Sequence, residues 1–456
     1  MSRKYLIETY GCQMNAHDSE RMAGLLEQAG YEPTDDAGEA DVVVINTCSV
    51  REHAEDKLYT RLGELRVLAQ EQGHNPIVAV AGCVAQQEGN ALLKRSPGVA
   101  DLIVGTQAIK RLPMLVERAE ATRRPVVDLD PFEDVTFPLG VTRRTDPLKA
   151  YVIIIEGCNE FCSFCVVPYT RGNERMRPMA DILAEVREAA ESGRREVQLL
   201  GQIVNHYAAP DAPDVDFTAL VEAIHDVDGI DRIRFASPHP RHFSVRFLEA
   251  MQRLPKIARH LHLPVQSGST RILKDMRRRY TRESYLELVA QIRQMLPDVA
   301  LSTDMIVGFP GEADQDFEDT LSLTREARFH SMFSFKYSPR PNTLADKRMP
   351  DDVPEEEKTR RIVTLQALQR DIQTEIHAAL VGRTVDVLID SASRRRDTEL
   401  SGRTSQNTVV NLPGSADWIG RTVPVRIERA GPNSVWGQAV QTSETAQPSV
   451  LVSTGH

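Results

Sequence analysis

The sequence predicts an α/β protein with three structured parts: an N-terminal parallel α/β domain, a central (β/α)6 barrel or partial barrel, and a small C-terminal all-β barrel. Two observations predict this arrangement. Short apolar runs alternate with helical patterns through most of the 456 residues, which is typical of parallel sheets covered by helices. After Gly382 the helical patterns stop, and five short strand-like runs with Gly and Pro between them favour a small barrel.

The apolar runs and the turn residues locate the individual elements. N-terminal strands are predicted at 4–10, 42–46, 77–81 and 101–104. Barrel strands are predicted at 151–156, 196–200, 232–236, 260–263, 301–306 and 332–337, followed by a long helix at 354–380. C-terminal strands are predicted at 384–390, 398–401, 407–411, 423–429 and 435–440. The resulting domains are 1–122, 150–380 and 381–441, with a Pro-, Asp- and Arg-rich linker at 123–149 and a disordered Ser/Thr-rich tail at 442–456.

Composition and charge exclude several classes of protein. Hydrophobic residues at 41% and charged residues at 26% are ordinary for a soluble globular protein. We see neither the apolar stretch of a secretory signal nor the ~18 apolar residues of a membrane span, so a cytoplasmic protein without a membrane partner is expected. The net charge of −10 does not exclude a nucleic-acid partner, because a local basic surface is what contacts phosphate.

Three closely spaced cysteines, Cys158, Cys162 and Cys165, follow the first predicted barrel strand. Loops at the carboxyl ends of parallel strands are where such folds place their sites, and thiolates suit iron–sulfur clusters and zinc. Three thiolates leave one iron of a four-iron cluster open. S-adenosylmethionine (SAM) can chelate that iron, and one-electron reduction then cleaves its sulfonium to give a carbon radical. The other interpretation is a zinc site completed by a distant histidine such as His206.

The remaining cysteines, Cys12, Cys48 and Cys83, are far apart in sequence, but each follows a predicted N-terminal strand. Strand ends of one parallel sheet meet at one edge, so the three thiols are expected to converge there. They are then either buried structural thiols or the ligands of a second cluster with one open iron, which could bind an exogenous sulfur atom.

Six segments give the chain a family resemblance. They are 10–15 (YGCQMN), 46–54 (NTCSVREHA), 81–87 (AGCVAQQ), 162–172 (CSFCVVPYTRG), 262–269 (HLPVQSGS) and 304–312 (DMIVGFPGE). Over roughly 3–441 the chain resembles the radical-SAM methylthiotransferases, and within them most the branch that acts on isopentenylated adenosine in tRNA. The C-terminal domain resembles the RNA-binding TRAM module.

The resemblance implies a reaction and two [4Fe–4S] clusters. Cys158, Cys162 and Cys165 would hold the radical-generating cluster, and Cys12, Cys48 and Cys83 an auxiliary one. The enzyme would insert a methylthio group at C2 of N6-isopentenyladenosine at tRNA position 37, with one SAM as methyl donor and another as radical source. Within the family's motifs, Ile203 stands where an Asn is usual, and Met176 stands where a Ser is usual.

Further side chains are expected near SAM or the RNA, although none is assigned as a catalytic acid or base. The predicted SAM contacts are Phe164, which also shields the cysteine loop from water, and Gln202, Ser237, Gln266 and Ile306, which follow or end barrel strands. The predicted substrate contacts are Arg171, Arg175, Arg394 and Arg395, and the run Arg277–Arg278–Arg279 is a second basic segment that could meet RNA.

The expected partners are tRNA carrying N6-isopentenyladenosine, a flavodoxin- or ferredoxin-like electron donor and a sulfur donor, and the protein is expected to be a monomer. Three alternatives stay open, two of them enzymes of the same family and the third a protein of a different class. They are the sister enzyme for threonylcarbamoyl-adenosine in tRNA, the enzyme that modifies an aspartate of a ribosomal protein, and a non-catalytic RNA-binding protein with structural or iron-sensing clusters.

Overall fold

The structure is a computed structural model that describes residues 2–49, 52–131, 139–393 and 398–440. The predicted tail at 442–456 and the predicted RNA contacts Arg394 and Arg395 lie outside these residues. No helix in the described ranges is both long enough and apolar enough to cross a membrane.

The N-terminal domain is a six-stranded parallel sheet with the strand order β2-β1-β3-β4-β5-β6. The central strands β3 and β4 are buried on both faces, and their side chains are apolar except for Asn46 and Thr47 at the carboxyl end of β3. Apolar clusters on the two faces pack against different helices. The strands are β1 (Arg3–Tyr10), β2 (Tyr31–Pro33), β3 (Val42–Thr47), β4 (Ile77–Gly82), β5 (Leu102–Val104) and β6 (Val126–Asp128), and the helices are α1 (Gln13–Gln28), α2 (Glu52–Gln72), α3 (Cys83–Glu88), α4 (Asn90–Arg95) and α5 (Leu112–Thr122).

One expectation about the linker at 123–149 is wrong. Its residues Val126–Asp128 form β6, which pairs in parallel with β5, so the N-terminal sheet extends past 122. A strand of three residues is too short to show an alternating pattern, and only its pairing reveals it. The domain boundaries otherwise stay predictions.

The central domain contains six parallel strands in chain order. Two three-stranded sheets, β13-β10-β7 and β14-β15-β16, join at a parallel bridge between Ile233 and Ile257. In the described ranges β7 and β16 do not pair with each other, which makes this a partial barrel, as predicted. Its strands are β7 (Lys149–Ile153), β10 (Glu196–Leu200), β13 (Arg232–Phe235), β14 (His260–His262), β15 (Ala300–Val307) and β16 (Ser331–Lys336).

Shorter elements lie between these strands. Two small antiparallel pairs are β8 (Ile155–Glu156) with β9 (Arg175–Met176), and β11 (Ala208–Ala209) with β12 (Ala212–Asp216). The helices are α6 (Val167–Thr170), α7 (Met179–Glu191), α8 (Phe217–His225), α9 (Val245–Arg253), α10 (Thr270–Asp275), α11 (Arg282–Met295), α12 (Asp314–Ala327), α13 (Leu344–Arg348) and α14 (Glu355–Ala378).

The C-terminal domain is a closed five-stranded barrel with the order β17-β18-β19-β21-β20. Alternate side chains of its strands fill a small apolar core, as expected for a barrel of this size. The strands are β17 (Thr384–Ala392), β18 (Glu399–Thr404), β19 (Val409–Pro413), β20 (Thr422–Ala430) and β21 (Val435–Ala439).

Candidate functional site

The cysteines that follow N-terminal strands, called the sheet set (Cys12, Cys48 and Cys83), are brought together as predicted. Their strands β1, β3 and β4 are neighbours in the sheet, and each cysteine lies at or directly beyond the carboxyl end of its strand. A hydrogen bond from the Cys48 thiol lowers the pKa of Cys12 to about 5 despite burial. Burial raises the pKa of Cys83, and the negative charge of the Cys12 thiolate raises it further.

Two buried asparagines fasten the sheet set. The Asn15 amide nitrogen donates to Asn46 Oδ1 at 3.0 Å, and the Asn46 amide nitrogen donates to the Asn15 carbonyl at 2.8 Å. Asn15 Oδ1 lies 3.4 Å from both the backbone nitrogen and the Sγ of Cys12. Gly82, at φ +92°, approaches Asn46 so closely that a Cβ there would stand 2.4 Å from its Oδ1. Both asparagines lie in the family motifs, but their amide pairing was not predicted.

The second group, called the loop set (Cys158, Cys162 and Cys165), lies on the loop that follows β8. The Cys158 nitrogen donates to the Gly172 carbonyl at 3.1 Å, and the Cys165 nitrogen donates to the Cys162 carbonyl at 3.0 Å, which makes the loop compact. Burial raises the pKa of Cys158 to about 11 and that of Cys165 to about 12, and the charge of Cys162 acts on both. These backbone hydrogen bonds therefore keep the three cysteines close together on one loop.

Each cysteine set has an arginine beside it. Arg278 Nη1 donates to Cys162 Sγ at 3.3 Å. Arg171 forms an ion pair of 2.7 Å with Asp18 of α1, and its charge lowers the pKa of Cys12 and opposes the raised pKa of Cys83. The middle residue of the basic run 277–279 therefore points inward to the loop set instead of outward to RNA.

The donor atoms fit iron–sulfur clusters better than a single metal ion. In the described ranges, no three His, Cys, Asp or Glu side chains are placed to hold one ion. Each thiolate of a cluster binds a different iron, so its ligands stand further apart than those of one zinc. The suggested zinc ligand His206 instead hydrogen-bonds Glu174 at 2.9 Å and stacks on His242 at 4.2 Å. Soft thiolates with a buried guanidinium nearby suit a cluster.

The two cysteine sets lie on the same side of the barrel. Met14 forms an apolar cluster with Ile153 and Leu200, and Cys12 and Ala236 pack against this cluster. Ile153, Leu200 and Ala236 belong to or directly follow the first three barrel strands. The loop set follows the first of these strands. Two hydrogen bonds hold this loop against the N-terminal domain: Thr106 Oγ1 donates to the Thr170 carbonyl at 2.6 Å, and Gln107 Nε2 donates to the Arg171 carbonyl at 2.9 Å.

The residues predicted to contact SAM fall into two groups. Phe164 and Ile306 pack against one apolar cluster that includes Phe309. Ser237 and Gln266 both have left-handed backbone conformations, at φ +56° and +78°. Such conformations are unfavourable for residues other than glycine and concentrate at functional sites.

Gln202 adds a polar group to this region. Its Oε1 is buried and has no hydrogen-bond partner among the described residues. A buried acceptor of this kind fits a ligand donor, such as the amino or hydroxyl groups of SAM. The SAM contacts of all five residues stay predictions.

The predicted RNA contacts differ from one another in their burial and in the side chains with which they pair. Arg171 is 5% exposed and forms an ion pair with Asp18, and its contact with substrate stays a prediction. Arg175 is half-buried and pairs with Glu156 at 3.3 Å. Of the two unusual motif residues, Ile203 is buried, and Met176 Sδ accepts a hydrogen bond from the Ala208 nitrogen at 3.2 Å.

Glu160, between Cys158 and Cys162, is a functional candidate that the sequence did not single out. Although only 7% of it is exposed, its carboxylate lies 3.4 Å from Arg241, 3.2 Å from His242 and 3.8 Å from Arg279. It ties the loop set to the segments after β13 and α10. A single acidic residue between two cysteines carries no sequence signal of such a network.

Three family models match the chain. They are "Uncharacterized protein family UPF0004" at residues 4–105, "Radical SAM superfamily" at 152–324 and "TRAM domain" at 378–440. A curated tRNA-2-methylthio-N(6)-dimethylallyladenosine synthase from Methylococcus capsulatus is 46% identical over 96% of both chains. Its counterpart from Chromobacterium violaceum is 45% identical over 97% of this chain and 100% of that one.

The chain belongs to the family of tRNA-2-methylthio-N(6)-dimethylallyladenosine synthases. Membership in the radical-SAM superfamily brings a [4Fe–4S] cluster and SAM as cofactors. Solved structures support the fold of this synthase. The radical SAM methyltransferase TsrM from Kitasatospora setae superposes with a TM-score of 0.55 at 15% identity over 76% of this chain and 74% of that chain. The cobalamin-dependent enzyme OxsB gives a TM-score of 0.52 at 12% identity over 82% of this chain and 56% of that chain.

Proposed function

We propose that this protein is a tRNA methylthiotransferase that inserts a methylthio group at C2 of N6-isopentenyladenosine at position 37, using one SAM as methyl donor and another as radical source. The observation that carries the proposal is the pair of converging cysteine sets on one side of the barrel, in a chain about 45% identical to such synthases along its length.

The loop set would hold the radical-generating cluster, and the sheet set an auxiliary cluster. A [4Fe–4S] cluster with SAM on its open iron supplies a carbon radical after one-electron reduction. The C2–H bond of adenine needs such chemistry, because acid–base groups contribute only about 10²–10⁴-fold to a rate and that hydrogen is hardly acidic. Accordingly, we assign no side chain as a general acid or base.

The protein's own residues position these groups. The Asn15–Asn46 pair fixes the loops of the sheet set, while Arg278 donates to Cys162. The contact of Cys12 and Met14 with the first barrel strands supports a second cluster that faces the same space as the first. A substrate base in that space would be within reach of both.

The finer assignments belong to the same proposal. We infer that the substrate is tRNA rather than free nucleoside because the chain carries a TRAM domain. A flavodoxin- or ferredoxin-like protein would deliver the electron, a separate sulfur donor would replenish the sheet set, and the enzyme would act as a cytoplasmic monomer.

The test is anaerobic turnover. The reconstituted protein is incubated with SAM, reductant, sulfide and isopentenylated tRNA, and the digested tRNA is analysed by mass spectrometry. Wild type should form 2-methylthio-N6-isopentenyladenosine. Cys158→Ala should abolish both SAM cleavage and product, whereas Cys48→Ala should abolish product but retain SAM cleavage, so each variant serves as the other's control.

Other outcomes identify the alternatives. SAM cleavage without change in that nucleoside would refute the substrate and redirect the assay to threonylcarbamoyl-adenosine tRNA and then to ribosomal protein. Absence of SAM cleavage in protein with intact clusters would favour a non-catalytic RNA-binding protein.

A further inference from the structure

Two large aromatic side chains on β16 are exposed although they lie on a barrel strand. Phe333 is 59% exposed and Phe335 is 43% exposed. Single exposed apolar residues are ordinary on a protein surface, but two on the same face of one strand form an apolar patch, and such patches indicate a binding site.

The alternation of β16 shows which face this is. Met332 joins the core between strands and helices, Ser334 Oγ accepts from Gln366 of α14 at 3.0 Å, and Lys336 pairs with Glu355 at the start of α14. Because successive side chains of a strand point to opposite faces, Phe333 and Phe335 face away from α14 and into the barrel.

The neighbours of Phe333 inside the barrel are polar and held in place. Phe333 lies next to Asp304 in the register of β15 and β16, and its ring meets the His262 ring edge-on at 6.0 Å. His262 hydrogen-bonds Ser302 at 2.9 Å and lies 3.3 Å from Asp304. An aromatic ring beside fixed polar groups is the usual composition of a nucleobase site, with stacking from the ring and hydrogen bonds from the polar groups.

The reacting groups of the proposed function lie at the carboxyl ends of the first barrel strands. Cys12 and Met14 cover the first three barrel strands, and the loop set follows the first of them. Phe333 and Phe335 belong to the last strand, at the edge where the partial barrel is open. A base that enters through this opening would lie between the aromatic pair and the two cysteine sets.

We propose that Phe333 is the platform on which the target adenine stacks after it leaves the RNA stack, and that Phe335 extends an apolar wall for its N6 substituent. This inference rests on the proposed function and narrows it. Enzymes that act on a base in RNA take it out of the stack and hold it against aromatic side chains. Two phenylalanines suit an isopentenyl group and disfavour the charged threonylcarbamoyl group.

The test compares RNA affinities of the reconstituted full-length protein. Fluorescence anisotropy measures binding of anticodon stem–loops that contain either N6-isopentenyladenosine or adenosine at the target position. Wild type should prefer the modified RNA. Phe333→Ala should bind it roughly tenfold or more weakly, because the base loses its stacking partner, and Phe335→Ala should lose most of the preference for the modified RNA. Phe333→Trp should retain both the affinity and the preference.

Val363→Ala is the matched control, because Val363 is equally exposed (59%) but lies on the outer helix α14. Its affinity should equal that of wild type. If Phe333→Ala binds the modified RNA within twofold of wild type, the platform assignment is overturned. Product formation by wild type is measured in parallel, so that a failure of the proposed function, with no product from wild type, is distinguished from a failure of this inference.

Discussion

At the scale of single residues, the buried guanidinium of Arg278 shows how a cluster ligand is held. Burying a charged group is costly unless its donors are satisfied. Arg278 donates through Nε to Tyr280 at 2.9 Å, through Nη2 to the Pro264 carbonyl at 3.2 Å and through Nη1 to Cys162 Sγ at 3.3 Å. The thiol is thus a required partner of the arginine, and hydrogen bonds to ligating sulfurs tune a cluster's potential.

Arg278→Gln should make the radical-generating cluster harder to reduce. The positive charge favours the more negative, reduced state, and a loss of about 1.4 kcal/mol of that preference corresponds to about 59 mV for a one-electron couple. A redox titration followed by electron paramagnetic resonance, on protein with Cys48→Ala as background, would measure the shift. Arg277→Gln is the control because Arg277 is exposed, and equal potentials in the two variants would contradict the role given to Arg278.

The sequence predicted the convergence of the six cysteines but not this arginine. Cysteines at strand ends are located by topology alone, because the ends of parallel strands meet. A run of three arginines, by contrast, is usually a solvated surface. Only the backbone reveals that Arg277 and Arg279 adopt left-handed conformations, at φ +59° and +57°, while Arg278 between them turns inward.

At the scale of secondary structure, α1 has an unusual buried face. This face contains four charged or titratable side chains that are all buried and lie within five consecutive positions: His17, Asp18, Glu20 and Arg21. They face the barrel rather than solvent. A stretch of charges normally marks the solvent side of a helix, so this polar interface could not be predicted from the sequence.

Glu185 of α7 is the central acceptor of that interface. It pairs with Arg177 at 2.6 Å and Arg144 at 3.4 Å, and it lies 3.9 Å from His17. Burial alone would raise its pKa, but Arg177, Arg21 and Arg144 outweigh burial and hold the pKa below its usual range. The carboxylate therefore stays charged at neutral pH and joins the N-terminal domain to the barrel.

Glu185→Gln should destabilise the protein by about 3–5 kcal/mol, because removing one partner leaves buried arginines without compensation. Differential scanning calorimetry of the apo-protein at neutral pH would show the main transition at a lower temperature. Glu188→Gln, one turn further along α7, should change it little, since the Glu188 side chain is 32% exposed and solvent screens its pair with Arg144 at 3.3 Å. Equal shifts for the two variants would contradict this account.

At the scale of the whole molecule, the two ends of the central barrel have different partners. The cysteine sets lie at the carboxyl ends of the strands. Near the amino end, the turn between β18 and β19 of the C-terminal domain contacts β13 of the barrel. Arg234 donates to the Thr404 carbonyl at 2.8 Å and to the Ser405 carbonyl at 3.3 Å, and Arg232 donates to the Arg403 carbonyl at 2.9 Å. The sequence predicted the small barrel, but not its docking, because the acceptors are backbone carbonyls that any residue supplies.

This docking places the TRAM domain at the end of the barrel opposite the cysteine sets, and we predict that its orientation matters for tRNA binding and not for SAM. Arg234→Met removes the donors and keeps a similar length of side chain. We expect amide hydrogen exchange at 404–408 to accelerate roughly tenfold or more, since a hydrogen bond to a charged group contributes about 1.5–3 kcal/mol. Full-length tRNA should bind several-fold more weakly, while SAM cleavage without tRNA stays unchanged.

Arg195→Met, which removes only the exposed pair with Asp231 at 2.7 Å, should leave the exchange rate, the tRNA affinity and SAM cleavage as in wild type. Accelerated exchange with unaltered tRNA affinity would show that the TRAM domain's position has no part in binding, whereas a parallel loss of SAM cleavage would mean that Arg234 supports the barrel itself.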